Sequence, residues 1–187
     1  MAGLIRSLTM EVQQILDFWF NEATPEQWFK KDTQFDDLIR RRFLKVWEQA
    51  AAGECSSWRA HIGGRLAEIL VLDQFSRNLW RGDARSFAQD PMALVLAQEA
   101  VKTPDYLQLP PVQRKFVLMP YMHSESALIH QQAELLFKGL DESTEDFERR
   151  HKAIIDRFGR YPHRNEILGR NSTPEEAEFL LQPGSAF

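Results

Sequence analysis

Three observations predict an all-α protein: apolar residues recur at helical spacing in every long segment, no run of alternating β-branched residues occurs, and short proline- and glycine-punctuated stretches separate the periodic segments. Val12, Ile15, Leu16, Trp19 and Phe20 fall at i, i+3, i+4, i+7 and i+8, the stripe of an amphipathic helix with Thr9 as its N-cap. Met10 stands just ahead of this stripe, so residues 1–9 read as a loose extension, with Met1 or Met10 as the natural start. Thr24-Pro25-Glu26-Gln27 has the order of N-cap, first-turn proline and capping-box partner, and should deliver Trp28 and Phe29 to the core. A long helix comes next on Phe35, Leu38, Ile39, Phe43, Val46, Trp47 and Ala50, ending near Gly53. From Ile62 to Trp80 the apolar residues occupy more than one face, which predicts a centrally buried helix.

Asp90-Pro91 reads as a cap and first position for a helix through Val101, and Pro104, Pro110 and Pro111 punctuate the connection to the next helix. Pro120 should break the chain, so that Tyr121-Met122-His123-Ser124-Glu125 opens a helix running to Lys138, with Ser124 as N-cap and Gly139 as its stop. Ser143 or Thr144 caps the next helix, which ends at Gly159, and Thr173-Pro174-Glu175-Glu176 caps the last. Short connections imply antiparallel helix pairs.

The 187 residues are 43% hydrophobic, enough for one core, and a single domain over 1–187 is expected. A net charge of -4 argues against a surface built for nucleic acid, so any basic patch must be local. Cys55 stands alone, which excludes an intrachain disulfide and fits a reducing compartment. The apolar run Ile69 to Leu72 is far shorter than a membrane span and the N-terminus lacks a signal-peptide core, so a soluble cytoplasmic protein with no membrane partner is expected.

Asp73 lies on the apolar stripe of the most buried helix, where a lone carboxylate would cost several kcal/mol. Its partner should be Arg77, one turn on, or an arginine from a later loop. His151 falls on an inward stripe with Phe147, Ile154, Ile155 and Phe158, as a hydrogen-bonded core histidine would. His123 and Glu125 stand at the predicted restart after Pro120; the helix dipole accounts for Glu125, whereas nothing local accounts for His123. Between Arg149 and Arg170 seven basic side chains face only Asp156 and Glu166, and Gly159 and Pro162 put part of this run on irregular backbone. Arginine's planar fork suits an anion, or equally the capping of helix ends and pairing with carboxylates. No HxxxH, HExxH or paired-cysteine spacing suggests a metal, no Gly-x-Ser-x-Gly elbow suggests a serine nucleophile, and no cofactor is implied.

The strings Leu72-Asp73-Gln74-Phe75-Ser76-Arg77-Asn78, Tyr121-Met122-His123-Ser124-Glu125, Arg157-Phe158-Gly159-Arg160-Tyr161-Pro162-His163-Arg164-Asn165 and Leu168-Gly169-Arg170-Asn171-Ser172-Thr173 resemble those of an uncharacterised bacterial family with a tetratricopeptide-like all-α fold. The resemblance runs essentially end to end and implies an α/α superhelix of antiparallel helix pairs. A proline would be expected in place of Ser76, and phenylalanine in place of Tyr121 and Tyr161. It suggests one convergent polar cluster: His163, His123, Asp73 and Glu125 as candidate catalytic residues, and Arg77, Asn78, Arg160, Arg164, Asn165 and Arg170 as candidate ligand-binding residues. The expected partner is a small anionic ligand, with histidine as the proton carrier. The alternative is a non-enzymatic module that clamps an acidic peptide or a C-terminal carboxylate.

Overall fold

The computed structural model describes residues 2–187, with side chains from Met10 onward. Ten α-helices are joined by short π- and 3-10-helical turns, and no strand occurs among the described residues. They are α1 (Ala2–Asp17), α2 (Pro25–Phe29), α3 (Thr33–Ala51), α4 (Ile62–Leu70), α5 (Ser76–Leu79), α6 (Asp90–Ala100), α7 (Pro111–Met122), α8 (Ala127–Phe137), α9 (Glu142–Phe158) and α10 (Pro174–Leu180). The all-α prediction holds.

The first helix starts at Ala2 rather than after Thr9, and the choice between Met1 and Met10 as start lies outside the described residues, as does the Thr9 side chain. Thr24 and Gln27 form the reciprocal capping box that their spacing predicts. Trp28 is half-buried and its indole N–H donates to the Trp19 carbonyl at 2.8 Å, but Phe29 is 61% exposed: α2 is too short to turn both rings inward.

The predicted central helix is α4, a π-helical turn (Val71–Phe75) and α5 in one continuous run. Leu66, Ile69, Leu70, Leu72 and Phe75 are fully buried in it. It packs against α1, α3, α6 and α7 and is the hub of the fold. Gly64 permits its closest approach, since a Cβ there would sit 1.9 Å from the Trp58 carbonyl oxygen. Around the hub, α6 pairs with α7, α7 with α8 and α8 with α9. A smaller apolar cluster of Ile154, Ile155 and Tyr161, with Phe158 and Phe179 against it, seats the C-terminal segment.

Packing corrects four local expectations. Pro120 does not break the chain: it lies inside α7, where residues 116–122 are all buried, so packing outweighs the one backbone hydrogen bond a proline removes. The chain turns at His123 instead, and α8 starts at Ala127 with Ser126 rather than Ser124 in the cap position. The cap of α9 is Asp141, whose carboxylate accepts the Thr144 N–H at 2.9 Å, rather than Ser143 or Thr144. Asp90 is not a cap: α6 begins at Asp90 itself, and its carboxylate is engaged elsewhere.

Candidate functional site

The π-helical turn Val71–Phe75 carries Asp73, the charge that helical spacing already puts on the apolar stripe. One residue too many in the turn shifts the phase of the stripe, and such turns recur at functional positions. Asp73, on this turn, is wholly buried. One carboxylate oxygen meets His123 Nδ1 at 2.6 Å and Arg77 Nη1 at 3.2 Å, and the other accepts the Gln74 side-chain amide at 2.6 Å. His123 reaches it because α7 ends at Met122, two residues after Pro120, and the chain turns there.

Arg77 has a second carboxylate. Its two terminal nitrogens donate to Asp90 at 2.9 and 3.0 Å, a bidentate pair. Arg164, from the 3-10 turn Pro162–Arg164, donates to the same Asp90 at 3.4 Å and to the His123 carbonyl at 3.0 Å. Both guanidinium groups lie against the Phe87 ring, 5.5 Å from its centroid for Arg77 and 4.5 Å for Arg164, and Arg164 also covers Tyr161. Arg164 Nε is buried without a partner among the described residues. Asp73, Arg77, His123 and Arg164 therefore form one connected network whose fifth member, Asp90, is shared by both arginines. The sequence offered no signal for Asp90 beyond an Asp-Pro pair that reads as a helix start.

Burial alone would raise the Asp73 carboxyl, but facing His123 and Arg77 outweigh it and hold the group well below the ordinary carboxylate range. Burial, reinforced by the Arg77 charge, pushes the His123 imidazole below its ordinary value against the pull of Asp73. At neutral pH the pair is an ionised carboxylate facing a neutral imidazole. A carboxylate only accepts, so Nδ1 carries the proton and Nε2 keeps its lone pair. Nε2 has no hydrogen bond among the described residues and is not a buried atom; the side chain keeps 15% of its surface in solvent.

The remaining predicted site residues are engaged elsewhere. Arg170 grips Glu125 through both oxygens at 2.8 and 2.9 Å, and donates to Asn165 and to the Tyr161 carbonyl. Glu125 also accepts the Tyr161 N–H at 2.7 Å. Arg160 grips Glu176 at 2.7 and 2.8 Å, and Asn165 reaches Glu176 and Ser172. Glu176 is at the same time the capping-box partner of Thr173. This closed circuit fastens the C-terminal segment to the turn after α7. Asn78 points to α3, donating to Asp36 at 2.7 Å.

His163 joins neither circuit. Its ring lies 5.7 Å from Tyr161 and 6.4 Å from Phe187, its Nδ1 is buried without a partner among the described residues, and burial and the Arg164 charge lower its pKa to about 4. His151 is a core histidine hydrogen-bonded to the Phe147 carbonyl at 2.7 Å and stacked on Phe187 at 3.7 Å. Phe147 itself is 43% exposed, off the inward stripe assigned to it.

No group of three or more histidine, cysteine or acidic side chains stands at metal-binding geometry among the described residues, and no described helix is long and apolar enough to cross a membrane. Two open clefts, of about 620 and 710 Å³, lie along α8 and α9 and beside α2, away from the Asp73 network.

An all-helical protein with a buried Asp–His pair wired to two arginines is what this fold and sequence define. Residues 15–184 match the model of a family described as bacterial protein of unknown function, DUF924, and the chain belongs to that family. It is similar to a solved structure of a protein of unknown function from Agrobacterium tumefaciens, with 37% identity and a TM-score of 0.88 over 92% of this chain and 97% of the other. No curated protein matches the chain.

Proposed function

We propose that His123 and Arg164 mark a small-molecule site, in which His123 Nε2 accepts a proton from a ligand whose anionic group is held by Arg164 and Arg77. The observation that carries this reading is the free Nε2 of a neutral imidazole whose other nitrogen is fixed by an ionised, buried Asp73. Such a pair is oriented as a general base, with Asp73 as the positioning residue. The ligand would therefore combine a hydroxyl, amine or acidic C–H with a phosphate or carboxylate. The circuit around Glu125, Asn165, Arg160 and Arg170 has its donors matched to carboxylates and acts in this reading as the brace behind the site rather than as its contact surface.

A second reading is favoured by one observation: Arg77 and Arg164 already share Asp90, so the network is charge-compensated without a ligand. In that case it locks the turn after α7 to α6 and serves architecture alone. Inorganic phosphate separates the two. A ligand bound only to the native state raises its stability by RT ln(1 + [L]/Kd), so phosphate should raise the melting temperature above that in chloride at equal ionic strength, and Arg164→Lys or His123→Ala should abolish the difference. An equal response of wild type and both variants would favour the architectural reading.

A further inference from the structure

His123 stands on a turn whose carbonyls are held by side chains from elsewhere in the fold. The end of a helix leaves its last carbonyls without intrahelical partners, and a left-handed glycine commonly arranges the missing donors. After α7 no glycine occurs until Gly139. Three side chains do the work instead: Tyr161 donates its hydroxyl to the Met122 carbonyl at 2.5 Å, Arg164 donates to the His123 carbonyl at 3.0 Å, and His130 Nε2 donates to the Ser124 carbonyl at 2.8 Å. Three consecutive carbonyls are thereby fixed, and the middle residue carries the imidazole that faces Asp73.

Tyr161 and Arg164 have other tasks in the C-terminal segment; His130 has none outside this turn. It is fully buried on α8, and its Nδ1 meets Glu148 Oε1, from α9, at 2.6 Å. A carbonyl only accepts, so Nε2 carries a hydrogen, and the short contact at Nδ1 needs a further proton on either the nitrogen or the oxygen. Both placements keep Nε2 a donor toward Ser124. Glu148 is 2% exposed, its Oε2 is buried with no partner among the described residues, and burial pushes its carboxyl above the ordinary value against the pull of His130. As a source of stability such a pair is poor, because apolar residues of similar volume commonly do as well. What leucines could not supply is an N–H directed at the Ser124 carbonyl.

We propose that His130 and Glu148 are positioning residues for His123: through the Ser124 carbonyl they hold the turn so that Nδ1 stays on Asp73 and Nε2 stays open to a ligand. The inference deepens the proposed function and rests on His123 being the base of that site. Removing one member would leave the other buried and unpaired and confuse positioning with unfolding, so both are replaced together.

Two double variants test the idea. His130→Leu/Glu148→Leu removes the pair, and His130→Gln/Glu148→Leu returns an amide N–H to the place of Nε2. The readout is exchange of the His123 Nδ1 proton with water, followed by ¹H–¹⁵N NMR at pH 7, with urea midpoints reporting global stability. In the leucine pair, exchange should accelerate at least about tenfold without a matching fall in the midpoint, and the glutamine variant should return toward the wild-type rate. The rise in melting temperature caused by inorganic phosphate should fall by at least about half in the leucine pair. Equal exchange in the wild type and the leucine pair, or equal acceleration in both double variants, would overturn the proposal. Should the leucine pair not fold, the glutamine variant decides: a rate near that of the wild type supports positioning, and a rate raised about tenfold overturns it. A wild type indifferent to phosphate would count against the proposed function, whereas the exchange comparison needs no ligand and judges this inference separately.

Discussion

Asp90 is the residue whose removal the network should tolerate least. In Asp90→Ala, Arg77 loses both hydrogen bonds of its bidentate pair and Arg164 loses its only carboxylate contact among the described residues, and both are largely buried groups, their side chains 20% and 7% exposed. Removing one partner of a buried ion pair costs about 3–5 kcal/mol. Arg77 retains Asp73, at 3.2 Å on the side chain and 2.9 Å on the carbonyl, which places the expected loss near the lower end, about 3 kcal/mol. In Asp73→Ala the reverse holds: Arg77 keeps its bidentate grip on Asp90, and the stranded groups are His123 Nδ1 and the Gln74 amide, so about 2 kcal/mol is expected. Urea unfolding of the two variants and the wild type reads the difference directly. At a slope of about 2 kcal/mol/M, Asp90→Ala should lower the midpoint by about 1.5 M and Asp73→Ala by about 1 M. A midpoint for Asp90→Ala within about 0.3 M of the wild type would refute the claim that Asp90 is the shared counterion.

Gly64→Ala would ordinarily stabilise a helix by about 0.5–1 kcal/mol, but with the Trp58 carbonyl oxygen 1.9 Å from the new Cβ it should instead destabilise by about 1–3 kcal/mol, read as a lower melting temperature. Acid should weaken the fold well before the carboxylates titrate. His151 and His163 are held neutral in the folded state, at about 3 and about 4, whereas unfolded histidine protonates near 6.5, so their stabilising effect is present above that value and is lost as pH falls. At pH 5 this amounts to ~2 kcal/mol per ring relative to pH 7.5, less for the partly exposed His163 and opposed in part by Glu148. Urea midpoints across that range should fall steadily, and His163→Gln should remove part of the slope, the rest staying with His151 and His123; a flat profile would contradict the burial of these rings.

Much of the fold was legible because it rests on local chemistry. The stripe through Leu66, Ile69 and Leu70, the capping boxes at Thr24 and Thr173 and the left-handed Gly159 at the end of α9 are each set by neighbours within a turn or two. The misreadings arise where tertiary packing overrules those neighbours. Pro120 stays helical because the residues around it are buried, and Phe29 and Phe147 are exposed although their spacing fits a core stripe. For the site, sequence located Asp73, Arg77, His123 and Arg164, and the structure joins these four. It could not separate them from Arg160, Asn165 and Arg170, because an arginine that braces a loop and one that borders a ligand site have the same composition and spacing. Nor could it identify Asp90, 13 residues from Arg77 and 74 from Arg164, whose role exists only once α6 is packed.

The protonation state of one imidazole decides whether the Asp73 network can act as a base, and long-range ¹H–¹⁵N correlation spectra of His123 at pH 7 measure it. A neutral ring protonated on Nδ1 is predicted, titrating below the ordinary histidine range, with the Nε2 signal shifting as inorganic phosphate is added. A ring protonated on Nε2, or an imidazolium at that pH, would contradict the assignment of His123 as a base held by Asp73.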